Sequence, residues 1–379
     1  MKNKKRSGVV NKAFIALMTL IIVVFAVSAI PTYDYFKTSG KTDNSFTRAY
    51  REKNYNHTIR PLSIVSGDTE LYAKYTAHSF DYLKGKGYVF VTVDVALSKD
   101  NVLLVNDGAP IKGQTNSSNL TDETVGDFTY LELLNGYNFC LGHQNPDGSY
   151  PYQDPIEGSV YETVKTSACR VLTYEEVVKT TYNSFTNFFT TITETEEDKI
   201  KTVLDKLVEM SSSKVVIYNP SNEVVEAINS DEKYAKLQRT YSEEESYKLL
   251  RRVALGTAKF HKVSHPIVII TDEMDLGFLV GNKEITTAKF IEKLHKLGVA
   301  CIYDMSNVDT IEGATNETNK ELMDRLLRVQ VDGIITNRPG LISDVSNVIN
   351  KELLEEYNKT TTTTTKTTTT TTTTTTKAE

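Results

Sequence analysis

Gly298-Val-Ala-Cys-Ile-Tyr303, the helix-patterned Asn319 to Val329, and Val331-Asp-Gly-Ile-Ile-Thr336-Asn-Arg-Pro339 form the stretch on which the fold turns. Two short apolar runs of strand length flank one amphipathic segment, a strand–helix–strand unit. Strands apolar on both faces belong in a parallel sheet covered by helices on its outer side. Parallel neighbours need a crossover, which the amphipathic segment supplies.

The same unit repeats toward the N-terminus. Pro266 to Ile270 precedes the helix Thr286 to Leu297, and Val215 to Tyr218 follows the amphipathic Lys199 to Met210. Tyr174 to Thr181 leads into Phe188 to Ile192, Thr69 to Lys84 into Tyr88 to Leu97, and Leu62 to Val65 opens the series. Ser242 to Leu255 and Leu341 to Leu354 read as further helices, and a weaker strand lies near Tyr234 to Tyr241. Eight alternating units in about 300 residues predict an α/β fold, a closed TIM (β/α)8 barrel. An open doubly wound sheet fits less well, because no Gly-rich phosphate loop opens any helix.

The ends of the chain differ from this body. Residues 1–12 carry Lys2, Lys4, Lys5, Arg6 and Lys12 with no acid, and residues 13–30 are uncharged. That pattern predicts a cytoplasmic basic segment and a transmembrane signal anchor, with the rest outside the cytoplasm. Eighteen residues exceed the usual signal-peptide core, which favours an anchor over a cleaved leader. Residues 31–57 read as a juxtamembrane spacer, 58–357 as the barrel, and 358–379 as a disordered poly-Thr tail. All forty-nine acids and all but five of the forty-three basic residues follow residue 30, leaving the exported part at −11. That sign argues against a nucleic-acid partner. Cys140, Cys169 and Cys301 allow at most one disulfide: either Cys140 pairs with Cys169, since Cys301 reads as buried strand, or all three stay thiols.

Several motifs carry a family likeness. Gly87-Tyr-Val-Phe-Val-Thr92-Val-Asp94-Val is followed by Ser98-Lys-Asp100-Asn-Val-Leu-Leu-Val-Asn106-Asp107. Arg170-Val-Leu-Thr173-Tyr-Glu-Glu176 and the closing Val331 to Pro339 come after it. In this order the stretches resemble the glycerophosphodiester phosphodiesterases. The resemblance implies a TIM barrel that hydrolyses glycerophosphodiesters with a divalent cation, Ca2+ or Mg2+, and two histidines. The cation neutralises phosphate charge while imidazoles move protons.

Against that pattern, the catalytic positions differ. The family's first His-Arg-Gly falls on Val65-Ser-Gly67, and its second histidine on Asn106, beside Asp107. Its Glu-x-Asp metal pair becomes Thr92 and Asp94, and its third acid corresponds to Glu194, with Glu196 where a lysine is expected. Asp94 and Glu194 are thus the candidate metal ligands, and Thr92, Asn106 and Asp107 the candidate pocket. Asn cannot exchange a proton near neutrality. The reading is a membrane-anchored, catalytically impaired barrel that binds or scaffolds; its ligand is a glycerophosphodiester, a phospholipid headgroup or a surface polymer. The alternative is a divergent metal-dependent phosphoric diester hydrolase that recruits His143 or His265. The anchor is expected to keep the barrel mouth near headgroups.

Of the remaining histidines, His57, His78, His261 and His295 form no metal-ligand spacing. Tyr72, Tyr75, Tyr82, Tyr88, Tyr150 and Tyr152 read as half-buried fillers before an aromatic platform. Asn56, Asn116, Asn119, Asn316 and Asn358 stand in glycosylation sequons.

Overall fold

The computed structural model describes residues 44–47, 59, 61–66, 74–85, 88, 90–115, 119–137, 139, 170–210, 214–258, 263–271, 273–276, 280–305 and 316–369. The expected anchor, Gly67, His57, His143, His261, Cys140 and Cys169 lie outside these residues. Among the described residues no helix is long and apolar enough to cross a membrane.

Eight parallel strands form the barrel wall: β1 (Leu62–Ser66), β2 (Phe90–Leu97), β4 (Asn187–Ile192), β5 (Val215–Ile217), β6 (Gln238–Arg239), β7 (Ile267–Ile270), β10 (Ala300–Asp304) and β11 (Gly333–Thr336). Their order is β6-β5-β4-β2-β1-β11-β10-β7. The gap between β6 and β7 is bridged where Tyr241 N donates to Ile267 O at 3.0 Å. The barrel is therefore nearly closed. The short β3 (Leu103–Val105) folds back antiparallel on β2, and β8 (Glu273–Asp275) pairs with β9 (Asn282–Glu284) as a separate hairpin.

Described helices are α1 (Ala77–Gly85), α2 (Tyr130–Gly136), α3 (Tyr174–Thr181), α4 (Glu197–Glu209), α5 (Asn222–Ser230), α6 (Glu243–Ala254), α7 (Ala288–Lys296), α8 (Asn316–Arg328) and α9 (Pro339–Thr369). Capping boxes start three of them: Thr129 with Glu132, Thr173 with Glu176, and Ser242 with Glu245. Each pairs two orphan amides at the helix start. Arg170 clamps Glu176 through both guanidinium nitrogens, at 3.0 and 2.7 Å, which fixes the entry to α3.

Side chains alternate along each strand, and the two faces bury separately. Leu62, Ile64, Phe189, Val216, Ile267, Ala300, Ile302 and Ile335 fill the barrel interior. The outward set, such as Val91, Val93, Phe188 and Ile217, packs under the helices. Gly333 is required at the start of β11: a Cβ there would sit 2.6 Å from Leu62 Cβ and 2.9 Å from Leu62 O.

Four local expectations change. Lys74 to Thr76 form a turn and not helix, with Tyr75 at φ +63°, so the described helix begins at Ala77. Helix α5, absent from the periodicity reading, spans only nine residues. Helix α9 continues through the start of the Thr tract to Thr369, past the expected boundary at Asn358. Neither Gly nor Pro interrupts those threonines, so the packed part of the helix extends into them without a breaker, although β-branched threonine is a weak helix former. Residues 44–47, assigned to a spacer, close the barrel floor. Asn44 Nδ2 donates to Pro266 O and Gly298 O, both at 2.8 Å, and Phe46 is buried edge-on against Phe189.

Candidate site at the barrel mouth

The inward-facing residues at the C-terminal ends of the strands define the mouth. On β2 these are Thr92 and Asp94; on β4, Phe189 and Thr191, in register with them. A Glu-x-Lys pair spaced to face the axis would fall on Phe189 and Thr191, which offer neither charge. Glu194 lies beyond β4, and its Oε1 accepts from Leu97 N at 2.7 Å. Asp94, Asp107 and Glu194 do not gather into one cluster of metal-ligating atoms.

What surrounds Asp94 is a lysine and a tyrosine from the β1–α1 turn. Lys74 Nζ donates to Asp94 Oδ2 at 3.1 Å and lies 3.6 Å from Asp107 Oδ2. Tyr75 OH donates to the same Asp94 oxygen at 2.5 Å. Burial, reinforced by the charge of Asp94, pushes the Tyr75 phenol well above the usual tyrosine range, so it stays a donor. Across the mouth Tyr218, one residue past β5, donates to Asp304 Oδ2 at 2.5 Å. Burial and then the charge of Asp304 raise this phenol too, with a further contribution from Asp94. Two tyrosine–carboxylate pairs thus line the mouth.

Asn106 is a turn residue. Its Oδ1 accepts from Gly108 N at 2.9 Å and its Nδ2 donates to Gln114 Oε1 at 2.7 Å, while Gln114 Nε2 donates to Asp107 Oδ1 at 2.8 Å. Both ends of the amide are engaged. Val65 is backbone-paired with Val91 and Thr336 at the end of β1. Thr92 is buried.

The two histidines whose side chains are described lie at the other end. His265 precedes β7 at the floor, where its ring meets Tyr241 edge-on at 5.0 Å. Burial, followed by the nearby Arg239 charge, lowers its pKa to about 4. A floor position rules His265 out as the recruited proton carrier at the mouth. His295, near the end of α7, bonds to Asp332 at 2.7 Å.

A divalent cation does not fit the described residues as they stand. Calcium takes six to eight oxygens, whereas an ammonium already sits against the carboxylates of Asp94 and Asp107.

Of the site residues, the sequence pointed to Asp94, Asp107, Thr92 and Asn106, and the structure gathers Asp94 and Asp107 around Lys74. Tyr75 is read from the sequence only as a half-buried filler, and Lys74, Tyr218 and Asp304 are not singled out there. Only the alternation along β5 and β10 could have flagged the last two, since it points both toward the axis.

Fold and mouth together define a TIM-barrel protein with its site on the C-terminal rim. The chain belongs to the glycerophosphoryl diester phosphodiesterase family, whose model matches residues 67–341. Among solved structures it is similar to a glycerophosphoryl diester phosphodiesterase from Parabacteroides distasonis. Identity is 15%, the TM-score 0.52, and the match covers 81% of this chain and 91% of that one. A glycerophosphoryl diester phosphodiesterase domain from Mycobacterium tuberculosis gives 14% identity and a TM-score of 0.52, covering 75% and 98%. At such identities the likeness concerns the fold. No curated protein matches the sequence.

Proposed function

We propose that this chain is a membrane-anchored, extracytoplasmic member of the family that binds a phosphodiester-bearing ligand at the barrel mouth without hydrolysing it. The observation that carries the reading is Asn106. It stands where the family resemblance calls for a proton-moving histidine, and its amide is committed at both ends to the turn. Val65 at the other histidine position, and Thr92 beside Asp94, support the same conclusion. Calorimetry of the full-length protein in detergent with glycerophosphocholine should give a saturable isotherm, weakened at least roughly tenfold by Tyr218→Ala. The reading fails if neither that diester nor a glycerol phosphate polymer produces binding heat.

The anchor part of the proposal carries a direction. From Ile30 to Asn44 there are fourteen residues, at most about 50 Å of extended chain. Asn44 and Phe46 are fixed at the floor, so the tether enters the barrel opposite its mouth. An attachment at the floor favours a mouth turned away from the chain's own bilayer, whereas the sequence expectation sets it among headgroups. Soluble diesters or a surface polymer become better ligand candidates than lipids of that membrane. In liposomes with a quencher lipid, a fluorophore at Ser264→Cys should be quenched more than one at Glu196→Cys, both in a Cys140→Ser/Cys169→Ser background. Stronger quenching at position 196 reverses the orientation, whereas protein released from membranes by carbonate removes the anchor itself.

A further inference from the structure

We infer that Lys74 is a built-in counter-ion that occupies, and thereby closes, a latent divalent-cation site between Asp94 and Asp107. Both carboxylates converge on one nitrogen, with oxygens 3.1 and 3.6 Å away. All three side chains are less than a third exposed, so solvent screens this pairing only in part. An ammonium and a metal ion cannot share that space, and a divalent ion would have to break both ion pairs to enter.

The backbone is arranged to hold the ammonium there. Tyr75 adopts φ +63°, a left-handed conformation that is an outlier for a bulky side chain and that persists only when its surroundings enforce it. The enforcement is visible. Tyr75 OH donates to Asp94 Oδ2 and accepts from Asp94 N at 3.1 Å, and the residue is buried. That clamp sets the direction of the preceding residue, and the Lys74 ammonium also lies 4.6 Å from the Tyr75 ring centroid. Asp107 is held in turn by Gln114 and Ala109 N, which leaves its second oxygen toward Lys74. The positive charge at the mouth is therefore covalently attached. It offers hydrogen-bond donors and a point charge to an anionic group, but no open coordination position, and no chelator removes it.

This inference deepens the proposed binding role, and its test does not depend on turnover or on a diester ligand. Full-length protein in detergent is titrated with Ca2+ alone by calorimetry, and the readout is the component of binding lost on Asp94→Asn. Wild type should show no such component. Lys74→Met, neutral and of similar length, should gain one with Kd of about 10⁻⁴–10⁻³ M, abolished in Lys74→Met/Asp94→Asn. Asp94-dependent Ca2+ binding by the wild type overturns the inference, as does a folded Lys74→Met that gains none. If circular dichroism shows Lys74→Met unfolded, Lys74→Gln is read by the same criteria. Turnover of a diester by the wild type would defeat the proposed function while leaving this titration to stand on its own.

Discussion

Asp332→Ala is expected to destabilise the barrel by about 2–5 kcal/mol, the cost of leaving two polar groups without their shared acceptor. Asp332 is fully buried at the floor, just before β11. Its Oδ2 accepts from Cys301 N at 2.8 Å and lies 2.7 Å from His295 Nε2. Its main chain ties three strands: Asp332 N donates to Cys301 O, and Leu62 N donates to Asp332 O, both at 2.9 Å. Removing the carboxylate strands a buried amide and an imidazole, each worth roughly 1–3 kcal/mol when left unsatisfied, and opens a small void. A fall in the thermal midpoint of roughly 10 °C follows. The control is Glu292→Ala, which removes only an exposed pair with Lys296 and should shift the midpoint by a degree or so. Equal midpoints for the two variants would contradict the clamp.

The same cluster has the make-up of a metal centre. The ligand-capable atoms of His295, Cys301 and Asp332 lie within 4.8 Å of one another, the only such group among the described residues. Their chemistry argues for a structural clamp. The carboxylate is already shared between an amide and an imidazole, and burial, followed by the Asp332 charge, pushes the Cys301 thiol well above its usual range. A protonated thiol is a poor ligand. The closing Val331 to Pro339 motif thus matches the family for reasons of architecture: Asp332 joins β1, β10 and α7, and Gly333 leaves room for Leu62.

How far the sequence disclosed this structure follows from where the information sits. The strands were legible because runs such as Ile267 to Ile270 and Gly333 to Thr336 are apolar on both faces, a local property. The eighth strand was faint because it is two residues long and its closure depends on Tyr241 N, one backbone donor. The mouth was half legible. Asp94 and Asp107 stood in motifs, whereas Tyr218 and Asp304 meet across 86 positions. Lys74 was hidden by a helical pattern running through it; a tyrosine in left-handed conformation has no compositional signature, unlike glycine. Glu194 rests on the family resemblance alone, and the end of β4 at Ile192 places it outside the inward-facing layer.

Loss of hydrolysis is the second large expected effect, and it rests on the same distinction between architecture and chemistry. One positioned proton carrier contributes about 10²–10⁴ in rate, so if Val65 and Asn106 stand at the family's two histidine positions, as the resemblance implies, turnover should fall below detection. The Lys74 ammonium carries a charge but lacks the polarising power of a bound metal ion. The direct measurement is choline release from glycerophosphocholine by the full-length protein in detergent, with Ca2+, with Mg2+ and with chelator, beside an Asp94→Ala variant. All conditions and both proteins should give the same background rate. Metal-stimulated release that disappears in Asp94→Ala would contradict a non-hydrolytic barrel and show that the mouth still performs the family's reaction.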